Sequence, residues 1–168
     1  MLRLMSLKFG ISTISKHAAE IAAEIVAGIA AEVVVGVDMV FERITLPNNV
    51  LAPVSPYCHA VRAGNLLFVT GQLAQDPDTG AVVRGSIEEQ TRRVMDNLTL
   101  VLNHAGTGFD RVVMARLFIT DFRFFQTVND IYASYFEAGQ FPGRTAIGVT
   151  ALAGFGDVEI DLIAYCGD

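Results

Sequence analysis

The chain reads as an α+β domain, a mixed β-sheet of about six strands with two helices packed on one face. Three observations predict it. Short alternating apolar runs recur near residues 40–45, 57–62, 66–70, 112–119, 144–149 and 157–164. Two longer stretches, near 87–102 and 125–136, repeat apolar residues at helical spacing, and turn residues separate all of these segments. The order is strand, hairpin, helix, strand, helix, strand, strand, and two helices cover only one side of such a sheet.

Residues 1–38 differ from the rest. Arg3, Lys8 and Lys16 with several serines and no acid give residues 1–16 a faint likeness to an organellar presequence. Residues 17–37 form an Ala/Ile/Val-rich run that reads as helix giving way to a β-branched tail. Glu20, Glu24 and Glu32 interrupt it. Each would cost about 2.5–3.5 kcal/mol at a bilayer centre, so no membrane span is expected. The domain proper is expected over 39–168, with Met39 the natural start and 1–38 a helical or mobile extension.

The first strand starts near Val40. Pro47, Pro53 and Pro56 mark a loop, after which 57–62 and 66–70 form a hairpin about Ala63-Gly64-Asn65 and stop at Gly71-Gln72. Asp76-Pro77-Asp78-Thr79-Gly80 is a turn, with proline fixing φ and Gly80 free to take a positive one. Ser86-Ile87-Glu88-Glu89 is a capping box opening a helix whose Ile87, Thr91, Val94, Leu98, Val101 and Leu102 share a face, and Ala105-Gly106 ends it. Residues 112–119 form a strand interrupted on one face by Arg116. Asp121 then caps a second helix with the apolar stripe Phe125, Val128, Tyr132, Tyr135 and Phe136.

Pro142-Gly143 breaks that helix, and Thr145, Ile147 and Val149 alternate with Ala146 and Gly148, placing Arg144 at the mouth of a strand. A guanidinium there can grip a carboxylate through two parallel hydrogen bonds. On the last strand Val158, Ile160, Leu162 and Ala164 share one face, and Glu159, Asp161 and Ile163 the other. That second face is too apolar to stay wet and too acidic for a core, which predicts a homo-oligomer. Spacing alone favours the plainer reading of a one-sided sheet with both acids in water and Arg144 a strand-end surface cation.

Composition narrows the partners. Hydrophobic residues make up 52% and charged ones 18%, which argues against disorder and agrees with apolar surface hidden by self-association. The net charge of −6, with Arg92-Arg93 the only adjacent basic pair, argues against nucleic acid as a partner. Cys58 and Cys166 have neither disulfide-framework nor zinc spacing and suit a reducing cytoplasm. His17, His59 and His104 are too scattered to announce a metal.

Several motifs agree in order and spacing: Ser55-Pro56-Tyr57, the run from Ala63 through Gly71-Gln72, residues 76–80, Gln90-Thr91-Arg92, Asp96-Asn97-Leu98, Val128-Asn129-Asp130-Ile131-Tyr132, Phe141-Pro142-Gly143-Arg144-Thr145 and Val158-Glu159-Ile160-Asp161. Together, over some 110 residues, they resemble the YjgF/RidA family of small trimeric enamine/imine deaminases, some members of which carry translation-inhibitor or endoribonuclease labels. The resemblance implies a chorismate-mutase-like fold, a trimeric barrel with active sites between subunits, and hydrolysis of 2-imino acids to 2-keto acids and ammonia without a cofactor. It assigns the substrate carboxylate to Arg144, water activation to Glu159, and the cleft lining to Tyr57, Thr70 and Asn129.

Three positions depart from the family pattern. Ala146 stands where many members have cysteine, so only its backbone can serve the substrate. Ala153-Gly154-Phe155-Gly156 replaces a proline-led loop, and His59 replaces a common glutamine. Two other readings stand beside the deaminase: a non-catalytic trimer that captures small carboxylated metabolites, and an endoribonuclease, which the acidic charge disfavours.

Overall fold

The computed structural model describes residues 18–21 and 41–167. Residues 18–21 are helical; the rest of the expected 1–38 extension and the start at Met39 lie outside the described residues. The unit Val40–Asp168 is built from β1 (Phe41–Ile44), a single turn α1 (Asn48–Leu51), β2 (Ala60–Ala63), β3 (Leu66–Gln72), α2 (Ile87–His104), β4 (Val112–Ile119), α3 (Phe125–Ala133), β5 (Gly143–Gly148) and β6 (Val158–Tyr165). The fold is α+β with one mixed six-stranded sheet, ordered β1-β2-β3-β6-β4-β5.

Local chemistry sets the elements much as expected. Gly64 takes φ 57° in the turn that closes β2 on β3. The Asp76 carboxylate accepts from the Thr79 amide at 2.9 Å and the Asp78 amide at 3.1 Å, and Gly80 takes φ 73°. At α2 the Glu89 carboxylate accepts from the Ser86 amide at 2.7 Å and the Ser86 hydroxyl from the Glu89 amide at 3.3 Å, a reciprocal cap of about 1 kcal/mol. Asp121 caps a 3-10 turn, Phe122–Phe124, and α3 begins only after it. The α3 stripe also stops short: the helix ends at Ala133, where the Ser134 hydroxyl donates back to the Ile131 carbonyl at 2.6 Å. Tyr135 and Phe136 therefore pack from the following turn.

The core lies between the helices and one sheet face. Val94, Leu98 and Val101 of α2 and Val128 of α3 are sealed against Leu67, Leu117, Ile160 and Leu162. Burying each such side chain stabilises by about 1.5–3 kcal/mol. The other face is uncovered. Phe41, Phe68 and Ile147 are 49%, 43% and 41% exposed there, beside Ile163 and Tyr165. Within this apolar field Arg116 grips its cross-strand partner Asp161 with two nitrogens, at 2.9 and 2.7 Å. That pairing explains one of the two acids on the face, and leaves Glu159.

The position of β6 decides the site. Its antiparallel pairing with both β3 and β4 puts it in the sheet interior, while β5 pairs parallel with β4 and forms an edge. The strands bearing Arg144 and Glu159, adjacent along the chain, are therefore separated by β4. Alternation along a strand fixes that each points to one face, and says nothing of strand order.

Candidate active site

Arg144 is level with Ala115 of β4, so it lies on the helix-bearing side of the sheet edge. Phe125, Asn129 and Tyr132, spaced four and three residues apart, form one face of α3. The Arg144 Nη1 donates to Asn129 Oδ1 at 2.8 Å, and the guanidinium carbon stands 5.2 Å from the Tyr132 ring centre and 5.7 Å from that of Phe125. Asn129 occupies one donor of the fork and leaves the others free for an anion. This guanidinium borders a cavity of about 370 Å³ lined by Asn129, Tyr132, Ala133, Phe141, Pro142 and Arg144. Burial pushes the Tyr132 hydroxyl up to about 12, against a weaker opposite pull from Arg144, so it keeps its proton at neutral pH. Sequence reasoning placed Phe125 and Tyr132 in the core only; the 125/129/132 spacing around a polar residue was the available signal.

Tyr57, Thr70 and Glu159 meet at a second cavity of about 460 Å³, which Gly71, Val82 and Gly154 also line. A bulge in β3 between Val69 and Gln72 shapes it. The Thr70 hydroxyl donates to the Cys58 carbonyl at 2.7 Å and its amide to the His59 carbonyl at 2.9 Å, pinning the Tyr57 segment to the strand end. His59 is fully buried. Its Nδ1 accepts from the Leu46 amide at 3.1 Å, its ring stands edge-on to Tyr57 with centres 5.5 Å apart, and burial, helped by His104, holds its pKa down. It is a packed neutral imidazole that braces Tyr57.

Gly71 makes room for the Glu159 carboxylate: a Cβ there would lie 2.0 Å from Oε1 and 2.9 Å from the carboxyl carbon. Partial burial, and secondarily the Asp161 charge, raise the Glu159 pKa above the ordinary carboxylate value. Asp161 is paired with Arg116, whereas no hydrogen-bonding side chain or cation partners Glu159 among the described residues. Ala146, level with Leu117, packs its methyl on the core and lines neither of these two cavities.

The two cavities thus stand apart in one chain. Glu159 pairs with Phe118 and Arg144 with Ala115, positions of opposite parity on β4, so the two side chains leave opposite faces of the sheet. With two strand spacings across and three residues along, their Cα atoms lie on the order of 14 Å apart. Among the described residues no cluster of metal-ligating side chains occurs, and no helix is long and apolar enough to cross a membrane.

Residues 47–166 match the family described as Endoribonuclease L-PSP. The chain is 36% identical over 124 residues to a RutC family protein of Pyrococcus horikoshii, covering 74% of this chain and 98% of that one. It is 39% identical over 116 residues to the 2-iminobutanoate/2-iminopropanoate deaminase of Bos taurus, covering 69% and 84% respectively. The crystal structure of the Rid family protein YyfA from Yersinia pestis superposes with a TM-score of 0.70 at 38% identity, over 75% of this chain and 99% of that one. With matched sequence, matched fold and the motifs around Arg144 and Glu159 in place, the chain belongs to the Endoribonuclease L-PSP family, also known as YjgF/RidA.

Proposed function

We propose that the protein hydrolyses 2-imino acids to 2-keto acids and ammonia, as a homotrimer whose clefts join the Arg144 cavity of one protomer to the Glu159 cavity of the next. The observation that carries this reading is an oriented guanidinium at the sheet edge together with an unpaired acid of raised pKa on the opposite, uncovered sheet face. A second copy seated on that face buries Phe68 and Ile147 and brings an anion clamp to a water-binding acid. The relatives named as deaminases supply the reaction.

Arg144 holds the substrate carboxylate and sets the imine carbon toward a water on Glu159. On the iminium form the water oxygen bonds to that carbon while one of its protons passes to the Glu159 carboxylate and the C=N π pair moves to nitrogen, giving a neutral carbinolamine. The protonated carboxyl returns the proton to nitrogen, the C–N bond breaks with its electron pair leaving as ammonia, and the hydroxyl proton passes to the Glu159 carboxylate as the C=O forms. An acid with a raised pKa suits both transfers. A net charge of −6 disfavours a polyanionic partner, so the ribonuclease description of the family is the weaker reading.

The test is direct. With 2-iminopropanoate or 2-iminobutanoate generated in situ by an amino-acid oxidase, the wild type is expected to speed imine loss over the spontaneous rate, and light scattering is expected to give a particle of three chains. An unaccelerated rate removes the deaminase and puts the metabolite-binding reading first.

Gly71→Ala probes the acid without touching it. The added methyl must displace the Glu159 carboxylate, and a misplacement of about 1 Å costs on the order of 10²-fold in kcat. A Gly71→Ala enzyme of wild-type kcat would show that the carboxylate position is immaterial.

A further inference from the structure

Phe155 stands against its own backbone and its own solvation. It is the one non-glycine among the described residues with a positive φ, 58°, and the residue is 77% exposed. Glycines flank it on both sides, so a residue free to adopt this conformation would be easily accommodated at 155, yet a phenyl ring is there. The loop that presents it is fixed from three directions. The Gln90 side-chain amide donates to the Asp157 carboxylate at 2.8 Å and accepts from the Asp157 amide at 2.8 Å, while the Thr120 hydroxyl donates to the same carboxylate at 2.8 Å. Gly154, at φ 61°, is packed so closely on Val82 that a Cβ would lie 2.5 Å from a valine methyl. Arg84 lays its guanidinium 5.0 Å from the Phe155 ring centre.

Val82 and Gly154 are walls of the Glu159 cavity, and the stacked Arg84 and Phe155 lie two residues and one residue further along the same segments. Val54 and Leu73 extend the apolar lining of that cavity. A lone ring between glycines is far too small for a protein-docking patch. It has the size and chemistry of a platform for one planar group.

We propose that Phe155, braced by Arg84, is a specificity-determining residue whose ring stacks on the side chain of the substrate, so that 2-imino acids with aromatic or flat apolar side chains are preferred over small ones. This rests on the deaminase reading of the same cleft, and the experiment separates the two. The full chain and Phe155→Gly are compared on 2-imino-3-phenylpropanoate and 2-iminopropanoate formed in situ, and by calorimetric titration with the corresponding keto acids, phenylpyruvate and pyruvate. Glycine accepts the backbone conformation at 155, so the variant is expected to fold and melt no lower than wild type.

The expected result is a wild-type preference for the phenyl compound in kcat/KM and in affinity, falling about tenfold in Phe155→Gly, with the loss in kcat/KM carried by KM. Phenylpyruvate preference that depends on Phe155 without turnover of either imine upholds the platform and removes the deaminase. Turnover of both imines with a ratio unchanged in Phe155→Gly overturns the platform and keeps the deaminase. A Phe155→Gly protein that loses its assembly and both activities in equal proportion makes the ring an interface contact, which also overturns the proposal.

Discussion

Arg144→Ala is expected to lower kcat/KM on small 2-imino acids by about 10²–10⁴-fold, since it removes two charge-assisted hydrogen bonds of about 1.5–3 kcal/mol each. The loss should appear mainly in KM, as keto-acid affinity falls in step. Arg144→Lys should recover little of it, because an ammonium cannot reproduce the fork that Asn129 aims at 2.8 Å. Arg144 is exposed in the single chain, so unfolding free energy should move by less than about 1 kcal/mol. Steady-state kinetics beside a melting curve check both halves. An Arg144→Ala enzyme with wild-type kcat/KM would remove the anion clamp from the account.

Glu159→Gln is expected to cost about 10²–10⁴-fold in kcat with KM nearly unchanged, the usual range for losing a positioned proton-transfer group. Its pH dependence is the sharper check. Burial, and behind it the Asp161 charge, raise the Glu159 pKa above the ordinary carboxylate value. A base must be ionised, so wild-type kcat should rise as pH climbs through that raised pKa, and Glu159→Gln should lack the limb. Asp161→Asn should move the limb to lower pH by removing the neighbouring negative charge.

Stability runs in the opposite sense. The folded chain binds the Glu159 proton more tightly than the unfolded chain, so this group's contribution is full below the unfolded pKa and fades as pH rises through the folded one. At neutral pH Glu159→Gln should therefore melt at or above wild type, with the advantage disappearing in acid. A pH–rate profile that keeps its limb in Glu159→Gln would assign the titration to another group.

Much of the fold was legible because its signals are local. The capping box at Ser86, the Gly64 turn and the strand Val112–Ile119 each follow from a few adjacent residues, and all three stand where their chemistry put them. The boundaries of α3 were less so: Asp121 satisfies amides of a 3-10 turn as well as it would an α-helix, and an aromatic run packs equally from a helix or the turn after it. Strand order was illegible. Nothing between Arg144 and Glu159 announces that the chain after β5 crosses β4 so that β6 lies between β3 and β4, a choice made by tertiary packing of the whole sheet. The candidate residues followed the same division. Tyr57, Thr70 and Glu159 gather at one cavity and Arg144 with Asn129 at another, while Ala146 turns to the core.

The sheet also works as an insulator. Had Arg144 and Glu159 left the same face of neighbouring strands, they would have collapsed into an internal ion pair like that of Arg116 and Asp161, each quenching the other. Kept on opposite sides of a layer of β-structure, neither can discharge its partner in the same polypeptide. On the proposed assembly, a newly made chain is chemically silent, and its reactivity is switched on only by meeting its own kind.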